Sequence, residues 1–233
     1  MRPIRIALSD FSTEVNPQGI DCLRPLKASR PVEFVDFADA DLLIYSDFGE
    51  KHWGFKGLKV YVTGENMLPD FGQCDLAFTP FESADEPRAV RLPYYAQALP
   101  GLGSLVRPTG YDARAYLERK KLCSFVASNP RGPERNSFFR ALNRRSPVDS
   151  AGRHFNTTGT RLRCKQTFLL DYRMNLAFEN TRSQGYVTEK LVEPLLAGCI
   201  PIYWGHLRNC TILFHQLNEI LKAHCVQRAT TSI

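Results

Sequence analysis

Short apolar runs alternate with polar stretches in the first part of this chain. Five runs have the length and the β-branched and aromatic content that are typical of buried strands. They lie at residues 4–9, 32–37, 41–46, 59–63 and 75–79. Mixed or helix-like segments separate them, which is the rhythm of β-α-β units and of a parallel sheet. The pattern therefore predicts an α/β fold.

A second series of elements follows a break in this pattern. Residues 97–107 are rich in Gly, Pro and Ser, and this composition predicts a linker. Residues 122–128 then have the pattern of a strand. Phe138, Phe139 and Leu142 form an apolar face at helical spacing, and further strands are predicted near Val148, at 175–178 and at 200–203. The sequence thus predicts one or two α/β domains.

Residues 175–205 carry the most unusual polar groups. An apolar strand ends at Glu179-Asn180, a glycine turn follows at Gly185, and residues 186–190 (Tyr-Val-Thr-Glu-Lys) begin a helix that Gly198 ends. In open α/β sheets, ligands bind beyond the carboxyl ends of strands and at helix N-termini. A carboxylate suited to ribose hydroxyls and a lysine suited to phosphate, both in a first helical turn, indicate a nucleotide site. Pro194 is unexpected, because a proline beyond the first turn removes a helical hydrogen bond.

Composition narrows the function classes. Hydrophobic residues make up 43% of the 233 residues and charged residues 23%, as in ordinary globular proteins. No apolar run reaches the roughly 18 residues of a membrane-spanning helix, and the N-terminus lacks a signal-peptide pattern. The seven cysteines have no paired spacing, so we expect buried, reduced thiols. The net charge of +6 suits an anionic nucleotide-sugar or a membrane surface, whereas the dispersed Lys and Arg residues argue against nucleic acid.

Several segments together resemble the bacterial and animal α1,3/1,4-fucosyltransferases, inverting enzymes that use GDP-fucose. The matches occur in family order: TGEN at 63–66, PDF at 69–71, RLPYY at 91–95, SFVASNP at 124–130, FEN at 178–180, GYVTEK at 185–190 and IPIYWG at 200–205. No membrane anchor or stem segment is recognisable, so the chain is most similar to the bacterial, cytoplasmic branch. We therefore expect it in the cytoplasm or at the inner face of the membrane.

The resemblance implies a GT-B-like α/β architecture, in which two Rossmann-like domains face a cleft and the second is incomplete. We expect an acceptor-side domain at 1–96, a linker at 97–121, a partial GDP-fucose-binding domain at 122–205 and a divergent tail at 206–233. There is no G-x-G-x-x-G, in keeping with a nucleotide held by side chains. No cofactor or metal is expected, and Asp39-Ala40-Asp41 is interpreted as a solvated turn.

The resemblance also assigns the donor-binding residues. Arg135 and Lys190 would hold the pyrophosphate, Arg as a bidentate fork and Lys as a point charge. Glu189 would hold the ribose hydroxyls. Asn180 and Tyr186 would line the same pocket; a turn-forming Asn and a packing Tyr are the structural alternatives.

The general base for the acceptor hydroxyl is expected at Glu82, by counting back from RLPYY. Asp85 and Glu86 compete for this role in the same acidic loop, and Glu65 and Glu179 are weaker candidates. If Glu82 is the base, partial burial should raise its pKa toward the working pH. His52 and His154 are interpreted as ordinary polar residues.

The recognisable motifs end at Gly205, and the composition of the tail shifts toward His and Cys. Two functions from different classes therefore remain open. One is an active enzyme that moves fucose to the 3-hydroxyl, or the 4-hydroxyl, of GlcNAc in a glycan such as LacNAc or a lipopolysaccharide O-chain. The other is a truncated, inactive remnant that binds nucleotide weakly at most.

Overall fold

The computed structural model describes residues 2–13, 15–81, 85–98 and 113–206. These residues divide into two compact units. The first runs to Ala98 and includes the short segment Ser183–Tyr186, and the second contains the other described residues. Each unit is built around its own parallel sheet.

The first unit contains a six-stranded sheet. Its strands and helices in chain order are β1 (Ile4–Ser9), α1 (Arg24–Ser29), β2 (Val32–Phe34), β3 (Leu42–Tyr45), β4 (Leu58–Val62), β5 (Leu76–Thr79), β6 (Ala89–Arg91) and α2 (Tyr94–Ala98). Short 3-10 turns at Pro17–Gly19, Asp21–Leu23, Phe37–Asp39 and Lys51–Gly54 replace several of the expected crossover helices. The alternation of strands with short crossovers confirms the predicted α/β class.

All strands of this sheet are parallel, in the order β2-β1-β3-β4-β5-β6. Ile6 pairs with Phe34 on one side and with Leu42 on the other. The order reverses direction between β1 and β3, which makes this point a topological switch, where a crevice opens beyond the carboxyl ends of the strands. Alternate strand residues fill two apolar layers, one around Ala7, Leu43 and Tyr61 and one around Ile6 and Ile44.

The second unit contains a four-stranded sheet. Its elements are α3 (Ala113–Glu118), β7 (Lys121–Phe125), α4 (Pro133–Asn143), β8 (Asp149–Ser150), α5 (Lys165–Leu169), β9 (Tyr172–Phe178), α6 (Glu189–Leu196) and β10 (Ile200–Trp204). The order β10-β9-β7-β8, again fully parallel, places its switch point between β7 and β9. Phe125, Phe139 and Leu176 are part of the apolar core beneath that point.

Some sequence expectations differ from the structure in detail. The segment expected to be a linker contains the end of α2 and all of α3. Residues 99–112 lie outside the described part of the chain. The tail beyond His206 also lies outside it. Cys74, Cys123 and Cys199 are buried thiols, whereas Cys164 is exposed. Within the described residues, no helix combines the length and apolar character needed to cross a bilayer.

Candidate functional site

The switch point of the second sheet brings together polar residues that are distant in sequence. The loop after β7 leads through Asn129 to Arg135 in the first turn of α4, and β9 ends directly before Glu179 and Asn180. Because β7 and β9 are neighbours, these two loops lie side by side. The sheet therefore places a cation and a carboxylate where α/β proteins bind ligands.

Glu179 is completely buried and organises the start of α6. Its two carboxylate oxygens accept hydrogen bonds from the backbone N–H of Thr188 (2.8 Å) and from the Thr188 hydroxyl (2.7 Å). The Thr188 oxygen in turn accepts from the N–H of Lys190, as an N-cap residue does. The end of β9 thus fixes the beginning of the helix that carries Glu189 and Lys190.

Lys190 lies among oxygen atoms at this helix start. Its Nζ is 3.0 Å from Glu189 Oε1, 3.1 Å from Thr188 Oγ1 and 3.7 Å from Glu179 Oε2. Its side chain keeps 20% of its surface exposed, and that of Glu189 keeps 23%. Because both remain partly accessible, a ligand can reach them, whereas Glu179 beneath them cannot be reached.

The electrostatics of these groups are coupled. Burial opposes the charge of Lys190, but Glu189 and Glu179 raise its pKa above the usual value. Burial raises the pKa of Glu179 despite the lysine. Burial also works against ionised Glu189, yet Lys190 and Lys165 lower its pKa below its ordinary range. The surroundings therefore favour the charged forms of Lys190 and Glu189, whereas burial disfavours the ionised form of Glu179.

Arg135 is buried, with only 3% of its surface exposed. Its Nη1 donates to Asn180 Oδ1 at 2.6 Å, and its Nη2 donates to the carbonyls of Asn129 (2.6 Å) and Arg131 (2.5 Å). Its Nε is buried without a hydrogen-bond partner. Burial lowers the pKa of the guanidinium, with Glu179 acting in the opposite direction. The arginine thus joins the loop after β7 to the loop after β9.

Two glycines permit these close approaches. Gly132, with φ of 128°, lies where a Cβ would come within 3.2 Å of the Arg135 guanidinium. A Cβ at Gly205 would meet the Tyr203 hydroxyl at 2.2 Å and Glu179 Cγ at 2.9 Å. A side chain at either position would displace the groups that form the site.

Three further residues that the sequence singled out are Tyr186, Glu82 and Pro194. Tyr186 belongs to the short segment grouped with the first unit, is 2% exposed, and stacks on Phe81 with ring centroids 6.3 Å apart. Glu82 lies outside the described residues. Pro194 lies inside α6, so it has no N–H to offer the Lys190 carbonyl, and the helix still starts at the Thr188 cap.

Sequence reasoning underestimated Glu179 and did not predict its contact with Thr188. Glu179 was expected as a weak candidate for the base, but both of its oxygens are committed to Thr188. The available signal was its place directly after a buried strand and nine residues before a capping threonine. A carboxylate in that place can accept hydrogen bonds from the free groups at the start of the next helix.

The switch point of the first sheet forms a pocket of about 270 Å³. Phe11 and Ser12 follow β1, Ser46 and Phe48 follow β3, and Gly64 and Glu65 follow β4. Tyr94 at the start of α2 also lines it. The ring of Phe48 is 56% exposed. An apolar wall with a carboxylate and a phenol is suited to a small polar ligand with an apolar face.

Comparison with known proteins agrees with this arrangement. Residues 6–97 match the model of the α-(1,3)-fucosyltransferase FucT N-terminal domain, and residues 116–217 match the C-terminal model of glycosyltransferase family 10 (fucosyltransferase). The second match continues past Gly205, where the recognisable motifs end.

Similar curated proteins include two transferases. The α-(1,3)-fucosyltransferase FucT of Helicobacter pylori is 36% identical over 177 residues, which are 63% of this chain and 37% of that protein. GDP-fucose protein O-fucosyltransferase 3 of Gallus gallus is 35% identical over 100 residues, 37% of this chain and 21% of that protein. The chain thus spans well under half the length of these relatives.

Solved structures of an α1,3-fucosyltransferase also resemble the chain. The structure with GDP-fucose has a TM-score of 0.70 at 26% identity, covering 97% of this chain and 80% of the other. The structure with GDP has a TM-score of 0.71 at 26% identity, covering 97% and 79%. The expected GT-B-like α/β fold class is thereby confirmed. The two parallel sheets, the polar groups at their switch points and these matches show that the chain belongs to the α1,3-fucosyltransferase family, glycosyltransferase family 10.

Proposed function

We propose that this protein transfers fucose from GDP-fucose to the 3-hydroxyl, or the 4-hydroxyl, of GlcNAc in a glycan, with inversion at the sugar carbon. The observation that carries the proposal is the group of Arg135, Glu189 and Lys190 at one switch point. Two cations and an accessible carboxylate at the carboxyl edge of a parallel sheet match a nucleoside diphosphate that carries ribose hydroxyls. The solved relatives bind GDP-fucose and GDP.

The donor would exchange the contacts that the site residues now make. Glu189 would accept the ribose hydroxyls, which frees Lys190 from its 3.0 Å contact with that carboxylate. Lys190 would then donate to the diphosphate. Arg135 would keep Asn180 and the 129–131 loop in place and add its buried positive charge to the electrostatic attraction of the site for the diphosphate. Tyr186 is assigned to donor binding by the resemblance alone.

These groups would stabilise the departing diphosphate. In the transfer, the acceptor oxygen bonds to the anomeric carbon from the face opposite GDP, and the bond from that carbon to the phosphate oxygen breaks. Negative charge then grows on the diphosphate. Fixed cations in a partly desolvated site lower the energy of that charge more than water does.

The base that takes the acceptor proton is proposed to be Glu82. Glu86, its neighbour, is paired through both oxygens with Arg88 at 3.0 Å, and this hydrogen bonding lowers its pKa. Glu179 is buried and committed to Thr188. Two of the competing acids are therefore poorly suited to accept a proton from a sugar hydroxyl, which favours Glu82.

The acceptor sugar is proposed to enter the pocket of the first unit. Its volume of about 270 Å³ is adequate for a single hexose. Phe48 can cover an apolar sugar face, while Glu65 and Tyr94 offer polar groups to hydroxyls. The expected bacterial, cytoplasmic location, with the inner face of the membrane as the alternative, stays a prediction.

The test is calorimetric titration of GDP-fucose into the wild type, Lys190→Ala and the exposed control Lys120→Ala. We expect Lys190→Ala to weaken binding by about 1–3 kcal/mol, the scale of a charge-assisted contact, and Lys120→Ala to leave binding unchanged. Equal binding by all three would reject the donor site. Donor binding without fucose transfer to LacNAc would favour the inactive alternative.

A further inference from the structure

One carboxylate joins two of the segments that form the pocket of the first unit. The pocket is lined by the residues on either side of Asp47, in the loop after β3, and by those on either side of Thr63, at the end of β4. Asp47 accepts hydrogen bonds from the hydroxyls of Tyr61 and Thr63, one at each carboxylate oxygen. Asp47 therefore ties one wall of the pocket to another.

Thr63 extends this link to Glu65. The Thr63 hydroxyl donates to Asp47, and its oxygen accepts a hydrogen bond of 3.0 Å from the backbone N–H of Glu65. A hydroxyl can donate and accept at the same time, and hydrogen bonds connected in this way strengthen one another. The backbone N–H of Thr63 donates to the Phe78 carbonyl at 3.1 Å. Thr63 is therefore held by the sheet and holds the backbone of Glu65.

Burial separates the supporting residues from the residue that they present. Thr63 is 1% exposed and Tyr61 is 6% exposed, whereas Glu65 is exposed and lines the pocket. A ligand can therefore reach the Glu65 carboxylate but cannot reach the Thr63 hydroxyl. Because the supporting hydroxyls are buried, losing one of them leaves its partner without a replacement from water.

Gly64, between Thr63 and Glu65, adds a second restraint. A Cβ at Gly64 would lie 2.4 Å from Cδ2 of the Tyr94 ring, so the backbone here packs directly on that ring. Tyr94 also lines the pocket. The segment that leads to Glu65 is thus restrained by a hydrogen bond and by a ring contact. A group held in this way loses little conformational freedom when a ligand binds.

We propose that Thr63, held by Asp47, is a positioning residue that keeps the Glu65 carboxylate in the pocket, where it accepts hydrogen bonds from hydroxyls of the acceptor sugar. The inference rests on the proposed function, in which the acceptor enters this pocket. Thr63 does not contact the sugar and acts through Glu65. Loss of its hydroxyl therefore weakens acceptor binding and leaves the chemical step intact.

Amide hydrogen exchange of the free protein tests the positioning without any substrate. Thr63→Val removes the hydroxyl and keeps the shape of the side chain, so the protection of the Glu65 amide should fall about tenfold. The N–H of residue 63, which is bonded to the Phe78 carbonyl, should keep its protection and shows that the change is local. Thr63→Ser retains the hydroxyl and should keep the wild-type protection at Glu65. Unchanged protection of Glu65 in Thr63→Val would overturn the proposal.

Tyr61→Phe is the matched control for this measurement. It also removes a buried hydroxyl that donates to Asp47, but it leaves the bond between Thr63 and the Glu65 amide in place. The protection of the Glu65 amide should therefore stay within about twofold of the wild type. An equal fall in Tyr61→Phe and Thr63→Val would indicate general loosening around Asp47 and would exclude a specific role of Thr63.

Fucose transfer to LacNAc tests the consequence for the acceptor. Thr63→Val should raise the KM for LacNAc about tenfold and leave kcat within about twofold, whereas Thr63→Ser and Tyr61→Phe should resemble the wild type. Glu65→Gln removes the carboxylate through which Thr63 acts. In that background, adding Thr63→Val should raise KM by less than about twofold. Additive effects of Thr63→Val and Glu65→Gln would make Thr63 a merely structural residue.

The outcomes separate this inference from the proposed function. If Glu65→Gln and Phe48→Ala both left the KM for LacNAc unchanged, the acceptor would not use this pocket, and the proposed acceptor site would be rejected. If Glu65→Gln raised KM and Thr63→Val did not, only the positioning role would be rejected. The exchange measurement needs no substrate, so it decides whether Thr63 positions Glu65 even if the chain transfers no fucose.

Discussion

Glu179 holds Thr188 through two hydrogen bonds, at 2.8 Å from its backbone nitrogen and 2.7 Å from its hydroxyl. This relationship links the end of β9 to the helix that presents Glu189 and Lys190. A buried acid therefore positions two accessible charged groups that a nucleotide can contact. The cost is a carboxylate that burial destabilises in its ionised form, which makes the site sensitive to the protonation of Glu179.

The two glutamates should give opposite pH dependences of stability. The pKa of Glu179 is raised in the fold, so its contribution is complete at acid pH and declines as pH rises through the folded value. The pKa of Glu189 is lowered, so its contribution is complete above the unfolded value of about 4.3 and is lost as pH falls. Urea unfolding across about pH 3 to 8 measures both trends.

Glu179→Gln and Glu189→Gln separate these effects. Relative to the wild type, Glu179→Gln should gain stability as pH rises, and Glu189→Gln should lose it. Glu134→Gln, an exposed acid in the first turn of α4, should show little change. If both site variants moved in the same direction, the assignment of opposite shifts would be wrong.

Arg135→Lys should destabilise the second unit although the charge is kept. The guanidinium reaches Asn180, Asn129 and Arg131 simultaneously, and a single ammonium cannot reproduce that fork. We expect a loss of about 2 kcal/mol in the free energy of unfolding and weaker GDP binding at equal folded fraction. Arg131→Lys, on an exposed side chain whose backbone carbonyl is unchanged, is the matched control. A stability loss without a binding change would make Arg135 purely structural.

The sequence was informative where local pattern determines structure. The sequence pattern located nine of the ten described strands, most of them through continuous apolar runs, because a buried parallel strand needs such a run. The omitted strand, Ala89–Arg91, has three residues, and its central Val90 is 41% exposed. Nothing in its composition distinguishes it from a loop, and it forms because β5 offers a free edge.

Long-range pairing explains the remaining differences. His52 was interpreted as an isolated polar residue, yet its partner Asp10 lies 42 positions away. Asn180 and Arg135 were both expected in the donor site from the resemblance, but their direct contact across 45 positions depends on the adjacency of β7 and β9. Periodicity carries no information about which strands become neighbours, so such contacts require the folded chain.

Gly205→Ala should damage the site through packing alone. The added Cβ would lie 2.2 Å from the Tyr203 hydroxyl and 2.9 Å from Glu179 Cγ, so the ring and the buried acid must move. We expect a loss of about 1–3 kcal/mol in unfolding free energy together with weaker GDP-fucose binding. Gly19→Ala, where the nearest atom would be 3.9 Å away, should be nearly neutral. Full stability in Gly205→Ala would show that the end of β10 adjusts freely.

The proposed role of the first unit's pocket in acceptor binding can be tested independently of the donor site. Phe48 lines the pocket, whereas Trp53 does not line it and has the same exposure of 56%. Phe48→Ala should raise the KM for LacNAc by about tenfold, because an aromatic contact is worth about 1 kcal/mol or more. It should leave kcat within about twofold, since the ring contacts the ground state and the transition state alike. Trp53→Ala should leave both constants unchanged. A fall in kcat for Phe48→Ala at unchanged KM would place the ring at the reacting centre. Equal effects of Phe48→Ala and Trp53→Ala would indicate a general loss of apolar surface rather than an acceptor pocket.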